Sequence, residues 1–231
     1  QRPGFADQYE VMQISGGNVS KLQLGNSKLK PSLSKEMEFG LNIDFLNRFS
    51  FEISRSETNT SDQIITVPLA VQYGGWPSQV QNAGSLNSKV WEASLNTQVV
   101  KTKGINYNIN IIFDRIRTKI TQLDVPPFQT GPQGQEANKC FYIREGETLG
   151  AMYGYKFLKS LAEMEEQLQA GDNIDNYTVN SDGYVIVKGT EGTVLEAPIK
   201  KLDENGKLWY GKIGDSNPKF KIGMTHTFTY K

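Results

Sequence analysis

"MEFGLNIDFLNRFSFEIS" (Met37–Ser54) is the stretch on which the fold turns. Met37, Phe39, Leu41, Ile43 and Phe45 alternate with Glu38, Gly40, Asn42 and Asp44, a period of two that sends apolar side chains to one face of a strand and polar ones to the other. After Leu46, the residues Asn47 and Arg48 supply a tight turn, and Phe49, Phe51 and Ile53 resume the apolar face against Ser50, Glu52 and Ser54. The pattern is an antiparallel hairpin with two chemically opposite faces.

The same signal recurs further along. Trp91, Ala93, Leu95, Thr97 and Val99 oppose Glu92, Ser94, Asn96 and Gln98; Lys103 and Gly104 then turn the chain. On the return, Ile105, Tyr107, Ile109, Ile111 and Phe113 face away from Asn106, Asn108, Asn110 and Asp114. A last strand sets Phe220, Ile222, Met224, Phe228 and Tyr230 against Lys221, Gly223, Thr225, Thr227 and Thr229. These strands approach or exceed the roughly 9 to 11 residues that cross a bilayer when tilted, whereas strands of soluble proteins cluster at about five or six. The connections alternate too: very short after Leu46 and Val100, long between about Asn59 and Gly84, and longest between about Thr121 and Pro218. Short turns at one end and long loops at the other are the arrangement of an outer-membrane barrel with a wet lumen. A β-sandwich, whose polar faces would meet bulk solvent, is the rival for the same alternation.

Totals exclude other classes. The 231 residues carry 25 basic and 25 acidic side chains, so no global field draws the chain to nucleic acid or anionic lipid. One cysteine, Cys140, permits no internal disulfide, and with the single histidine, His226, it leaves zinc and catalytic-triad chemistry short of parts. No apolar run approaches the roughly 20 residues of a spanning helix. Mean hydropathy is negative, as in soluble proteins, but alternating barrel strands with polar loops give the same average.

The longest connection has order of its own. Ser160 followed by Glu163 has capping-box spacing, Leu158, Leu161 and Leu168 recur near the helical period, and Gly171 offers a stop, so a short helix is expected there. "DGYVIVKG" (Asp182–Gly189) reads as a strand, and "ENGKLWYGKI" (Glu204–Ile213) as a turn followed by a strand. The expected fold class is therefore all-β: about five antiparallel strands of a transmembrane barrel, near 35–59, 88–120 and 218–231. A long extracellular insertion of about 121–217 contains the short helix.

Four stretches resemble one family. "LGNSKLKPSLSKEMEFGLNIDF" (Leu24–Phe45) is similar to the L-G-N-x-x-L-K-P-E segment that enters a barrel strand, with Ser32 in place of the usual glutamate. "NAGSLNSKVWEASLN" (Asn82–Asn96), "REGETLGAMYGYKF" (Arg144–Phe157) and "IGDSNPKFKIGMTHTFTYK" (Ile213–Lys231) are similar to the three motifs that follow in it. They depart at Val90, where a small residue is usual nearby, and at Thr148, where proline is common. In this order and spacing they resemble the SusC/RagA-type TonB-dependent outer-membrane transporters of Bacteroidota.

The resemblance implies a whole protein with a plug domain, a TonB-interacting segment and a barrel of about 22 strands. No plug is read in residues 1–231, so the chain is expected to be an internal to C-terminal part of the barrel, unable to close alone. The implied function is import of an oligosaccharide or peptide across the cell outer membrane, with a SusD-like surface lipoprotein as lid and the TonB system as energy source. Outer-membrane lipid is a further partner. A passive porin-like barrel and a soluble carbohydrate-binding β-sandwich are the alternatives. No enzymatic activity, cofactor or bound metal is expected.

Site residues follow from these readings. Trp76 in "YGGWPS" (Tyr73–Ser78), Tyr153, Tyr155, Trp209 and Tyr210 could stack on a sugar or pack against a lid, and equally could form loop cores. Asn106, Asn108, Asn110 and Asp114 face the lumen. Arg144, Glu145, Gly146, Gly150, Gly154, Asn217 and Pro218 are family-motif positions, read as a structural brace. Trp91 and Tyr230 suit an interfacial aromatic belt. "LDENGK" (Leu202–Lys207) keeps part of a calcium-like loop, but Lys207 stands where another oxygen would help, so a hydrated turn is expected. Glu163, Glu165 and Glu166 read as a solvated helix face, and Cys140, beside Phe141 and Tyr142, as a small inert hydrophobe.

Overall fold

The computed structural model describes residues 5–15, 18–70, 72, 74–131 and 139–230, which leaves Tyr73 and Lys231 of the motifs outside it. A four-residue helix, Phe5–Gln8, precedes a short hairpin of β1 (Val11–Ser15) and β2 (Asn18–Gln23). The decisive stretch then folds as β3 (Leu33–Phe45) and β4 (Phe49–Ser61), in unbroken register from Leu33↔Ser61 to Phe45↔Phe49. Leu46 and Asn47 both take the left-handed conformation, with φ of 53° and 50°, so the turn begins one residue earlier than the sequence suggests. Positive φ at both positions matches the twist of the two strands, which is why a hairpin tip accepts it even at a leucine.

The next connection is itself a hairpin, β5 (Ile64–Pro68) with β6 (Ser78–Asn82). It buries Ile64 and Val80 against Leu29. β7 (Gly84–Lys101) and β8 (Ile105–Leu123) follow, 18 and 19 residues long, with register shifts between Ser85 and Leu86 and between Gln98 and Val100. Thr102 closes their turn: its N–H donates to the carbonyl of Ile105, whose own N–H donates to the Thr102 hydroxyl. β9 (Phe128–Thr130) and β10 (Phe141–Ile143) pair beyond it.

Residues Met152–Gly214 form a second compact unit. It holds most of β11 (Ala151–Tyr155), a helix over Leu161–Glu165, a hairpin of β12 (Tyr177–Val179) with β13 (Val185–Val187), and most of β14 (Tyr210–Asp215), which is hydrogen-bonded to β11. The expected helix is present, capped by Ser160, whose side chain accepts from the Glu163 N–H. It is short because the chain leaves it at Glu166 and passes through turns to Gly171. Leu158, Met164 and Val185 are its core, with Leu168, Ile174, Tyr177 and Ile199 packed around them.

β15 (Lys221–Tyr230) completes a five-stranded antiparallel sheet in the order β15-β8-β7-β4-β3. The register stacks side chains in lateral rows. Leu41, Ile53, Ala93, Phe113 and Ile222 share one; Ile43, Phe51, Leu95, Ile111 and Met224 the next; Phe45, Phe49, Thr97, Ile109 and His226 the one nearest the short turns. Polar rows occupy the opposite face: Gly40, Ser54, Glu92, Asp114 and Lys221, then Asp44, Ser50, Asn96, Asn110 and Thr225.

Among the described residues nothing covers the apolar face. Phe39 is 66% exposed, Met224 55% and Phe228 65%, and Ile120 is the one buried apolar residue that these five strands supply. A sandwich would put this face in its core, whereas here about five strands' width of apolar side chains lies open. No helix among the described residues is long and apolar enough to cross a membrane. The fold class is thus the expected one, antiparallel strands with an ordered insertion carrying a short helix; a closed barrel lies beyond five strands.

Candidate functional site: a polar sheet face and its motif brace

Asn106, Asn108, Asn110 and Asp114 all lie on the polar face of β8, where the alternation places them. Asn106 accepts a hydrogen bond from the Gln98 amide at 3.1 Å, and Asp114 stands 3.6 Å from the Lys221 ammonium. Among the described residues the Asn110 carbonyl oxygen is buried with no hydrogen-bond partner. An open cleft of ≈ 510 Å³ runs past Asp44, Ser50, Asn96, Asn108 and Asn110, so amide and carboxylate groups converge on solvent-accessible space. Such a surface offers hydrogen bonds of both senses. The face is not wholly hydrophilic. Ile112 and Ile116 also lie on it, and Ile112 rests against the backbone of Gly223, where a Cβ would meet its Cγ1 at 2.9 Å. The glycine makes room for a branched side chain that interrupts the polar column.

The motif residues assemble into a clamp. Gly146 donates its N–H to the carbonyl of Ile120 at 2.8 Å, Ile120 returns one to Glu147 at 2.9 Å, and Leu149 donates to Thr118 at 2.9 Å, so Arg144–Gly150 is laid along the end of β8. Thr148 donates its hydroxyl to the Asp215 carboxylate. Asn217 spans the other side: its amide donates to the Leu149 carbonyl at 2.6 Å and to Asp215 at 2.9 Å, while Ser216 N–H donates to Gly150 at 2.9 Å. Gly150 has φ +111°, and a side chain there would run into Ser216 and, at 2.8 Å, into Asn217 Nδ2. Only glycine fits. Arg117 extends the clamp by donating to the Pro218 carbonyl at 2.7 Å. Arg144 closes the turn through its carbonyl, which accepts from Glu147 N–H, and Glu145 lies at the tip.

The aromatic residues separate into two places. Tyr153, Tyr155, Trp209 and Tyr210 come together within the second unit: Tyr210 lies 6.1 Å from Tyr153 and meets Tyr155 edge-on at 5.5 Å. Lys156 sits over the Trp209 ring at 4.6 Å and Lys200 over Tyr155 at 5.2 Å. Both cation–π pairs join residues more than 40 positions apart, so no local spacing in the sequence signals them. Gly154 lies among them, facing Ile213. Trp76 is different. It is only 7% exposed, with Lys21 over its ring at 5.3 Å, so it serves the loop core and presents no open platform.

The remaining candidates have ordinary surroundings. Asp203 accepts from the N–H groups of Asn205 and Lys207, both at 2.9 Å, so the acidic turn is tied to its own backbone. Among the described residues no three His, Cys, Asp or Glu side chains gather as a metal site. Cys140 is half-buried and free. Within the second unit, the Tyr177 hydroxyl, then the Asn173 N–H and the Asn176 amide, all donate to Asp172 and hold its carboxyl below the usual range.

No family model matches the chain. It is 27% identical over 237 residues to TonB-dependent receptor P3 of Formosa agariphila, an alignment covering 98% of this chain. TonB-dependent receptor P39 of the same organism is 26% identical over 94% of it. The chain spans 22% of the length of each of these curated relatives. Among solved structures, the RagAB peptide transporter matches 99% of this chain with a TM-score of 0.65 at 19% identity, over 23% of the matched chain. The RagAB importer in its open-open state gives 0.62 at 18% identity. Along nearly its whole length, therefore, this chain is similar to a stretch of SusC/RagA-type TonB-dependent receptor, as its four motifs imply, and it has the fold of the matched part of RagAB.

Proposed function

We propose that the chain forms five neighbouring strands of the barrel wall of a TonB-dependent importer in a cell outer membrane. The observation that carries this reading is the sheet itself: strands of 10 to 19 residues whose apolar rows are uncovered and whose opposite face is polar. Lipid suits the first face and a hydrated lumen the second. Similarity to TonB-dependent receptors supports active import over passive diffusion. The cargo is an oligosaccharide or a peptide, and a SusD-like surface lipoprotein closes the extracellular side. Asn106, Asn108, Asn110 and Asp114 hydrate the lumen and hydrogen-bond passing solute. Tyr153, Tyr155, Trp209 and Tyr210 offer aromatic surface to cargo or lid. The Arg144–Gly150 and Asp215–Pro218 segments brace the wall.

The test uses the whole protein that carries this chain. In detergent it migrates on gels as a compact band that shifts on boiling, and cells take up its cargo only when the TonB system is intact. Partition into the aqueous phase without a heat-dependent shift contradicts the membrane reading, and uptake independent of TonB contradicts the active one.

A further inference from the structure

The polar face of the sheet gives way to an apolar pocket at its long-connection end. Leu86 and Ile120 pair across β7 and β8 in the same phase as Glu92, Asn110 and Asp114, and with Leu123, Phe128, Ile143 and Leu149 they line a cavity of ≈ 230 Å³. Among the described residues no charged side chain lines it. Its size is below the roughly 300 Å³ at which whole small ligands are enclosed, and suits one large apolar side chain. Leu149 belongs to the glycine-rich motif and is 42% exposed there, so one wall of the pocket is open to solvent.

The rest of this face is acidic. The register puts Glu36, Glu38, Asp44, Glu52, Glu92 and Asp114 on it, against Lys221 and, beside the short turns, Lys101. Lys221 lies 3.6 Å from Asp114, whereas Glu36, Glu38, Glu52 and Glu92 have no ion-pair partner among the described residues. Between pocket and carboxylates lies a hydroxyl row of Thr58, Ser88 and Thr118, with Ser88 and Thr118 hydrogen-bonded at 3.0 Å. Glu36 ends that row, one row down and two strands across from Leu86, a separation of about 12 Å or about four residues of extended peptide.

We propose that the pocket takes a large apolar side chain of a peptide cargo whose basic group, about four residues away, meets the carboxylates of the same face. The inference rests on the importer reading and narrows its cargo from oligosaccharide or peptide to a non-acidic peptide. Two independent features select this occupant. A neutral sugar has no aliphatic group to fill an uncharged apolar pocket, and a fatty acid, which has one, brings a carboxylate to a wall that repels it. A peptide supplies the apolar side chain, backbone amides for the hydroxyl row and the opposite charge in one molecule.

The test is calorimetric titration of the whole protein in detergent with Gly/Ser nonapeptides that carry one Leu and, four residues on, one Lys. Matched peptides replace the Leu by Ala or the Lys by Glu, and maltoheptaose is the neutral sugar. The Leu peptide should bind roughly tenfold more tightly than the Ala peptide, the increment for burying one such side chain. Lys should be preferred over Glu at low salt, with the preference shrinking as salt rises. Leu86→Trp fills the pocket and should bring the Leu peptide down to the affinity of the Ala peptide while sparing the charge preference. Combined Glu36→Gln and Glu38→Gln should do the reverse, whereas a merely damaged wall would lose both together. If Leu86→Trp does not fold, Leu149→Asn at the open side must still narrow the Leu-over-Ala ratio. Equal binding of Leu and Ala peptides, a ratio untouched by both pocket variants, or tighter binding of maltoheptaose overturns the proposal. A pocket occupied by another segment of the whole protein gives the first of these results. The heat-dependent gel shift and TonB-dependent uptake report separately on the importer reading, so a protein that passes both and binds only the sugar sinks this inference alone.

Discussion

Gly150 shows how a single position couples two distant parts of the chain. Its φ of +111° and its approach to Ser216 and Asn217 leave no room for a methyl group, so Gly150→Ala must break the Ser216 and Asn217 hydrogen bonds or push the two segments apart. The expected cost is about 1–3 kcal/mol, read as a lowered unfolding midpoint of the whole protein. Gly146, also at positive φ but with open space around it, should tolerate alanine better. Asp172 gives a pH prediction. The hydroxyl of Tyr177, the Asn173 N–H and the Asn176 amide favour its ionised form and lower its pKa. A depressed carboxyl stabilises the folded state fully above the ordinary carboxylate range and loses that contribution as pH falls through the depressed value. Tyr177→Phe keeps the packing but removes the largest cause, so hydrogen-exchange protection of the Asn173 and Asn176 amides should fail at a higher pH than in the unmodified protein.

At the level of the element, legibility depended on period. The long strands could be read because apolar and polar residues alternate without a break from Met37 to Phe45 and from Ile105 to Ile111. The β5–β6 hairpin could not: its buried Ile64, Val67 and Val80 follow no two-residue rhythm, and their partner Leu29 comes from before the sheet. Trp76 looked like a loop aromatic because nothing local reveals that Lys21 and the hairpin enclose it. The brace was legible as a set of glycines and aromatics, but its hydrogen bonds join residues more than 60 positions apart, and no spacing rule finds those. The cations beyond the apolar rows were legible in principle, since Arg55, Lys89 and Arg115 continue the apolar phase of their strands. Reading only for apolar residues stopped the pattern too early. The two faces make a direct prediction: Ile53→Lys, in the middle apolar rows, should destabilise the whole protein in bilayers by about 2–4 kcal/mol, while Ser54→Lys, on the polar face, should change its stability little. Denaturant titration of both variants in the same lipid checks the difference.

For the whole molecule, the arrangement makes sense only if the two sheet faces meet different solvents. In water the uncovered apolar rows would drive association, and the edge strands β3 and β15 would each present a row of unpaired backbone groups. In a membrane the same rows are satisfied by lipid, and neighbouring strands of a larger barrel take up the edges. The lid does not follow from the polar face, and its amides and hydroxyls hydrogen-bond sugars and peptides alike, so only the apolar pocket and the carboxylates favour a peptide. On the apolar-phase face the rows toward the long connections carry Arg55, Lys89, Arg115 and Lys119, whereas Phe45, Phe49, Tyr107 and Phe228 stand toward the short turns, an asymmetry that alternation alone lacks.

The central claim is tested most directly along β8 in the whole protein. With Cys140 and any further cysteine of the whole protein replaced by serine, single substitutions to cysteine at Tyr107, Asn108, Ile109, Asn110, Ile111 and Phe113 are spin-labelled after reconstitution, and collision with oxygen in lipid is compared with collision with a water-soluble nickel chelate. The account predicts strict alternation: labels at Tyr107, Ile109, Ile111 and Phe113 favour oxygen, and those at Asn108 and Asn110 favour nickel. Uniform accessibility to the chelate on both faces, or no period of two, would contradict it.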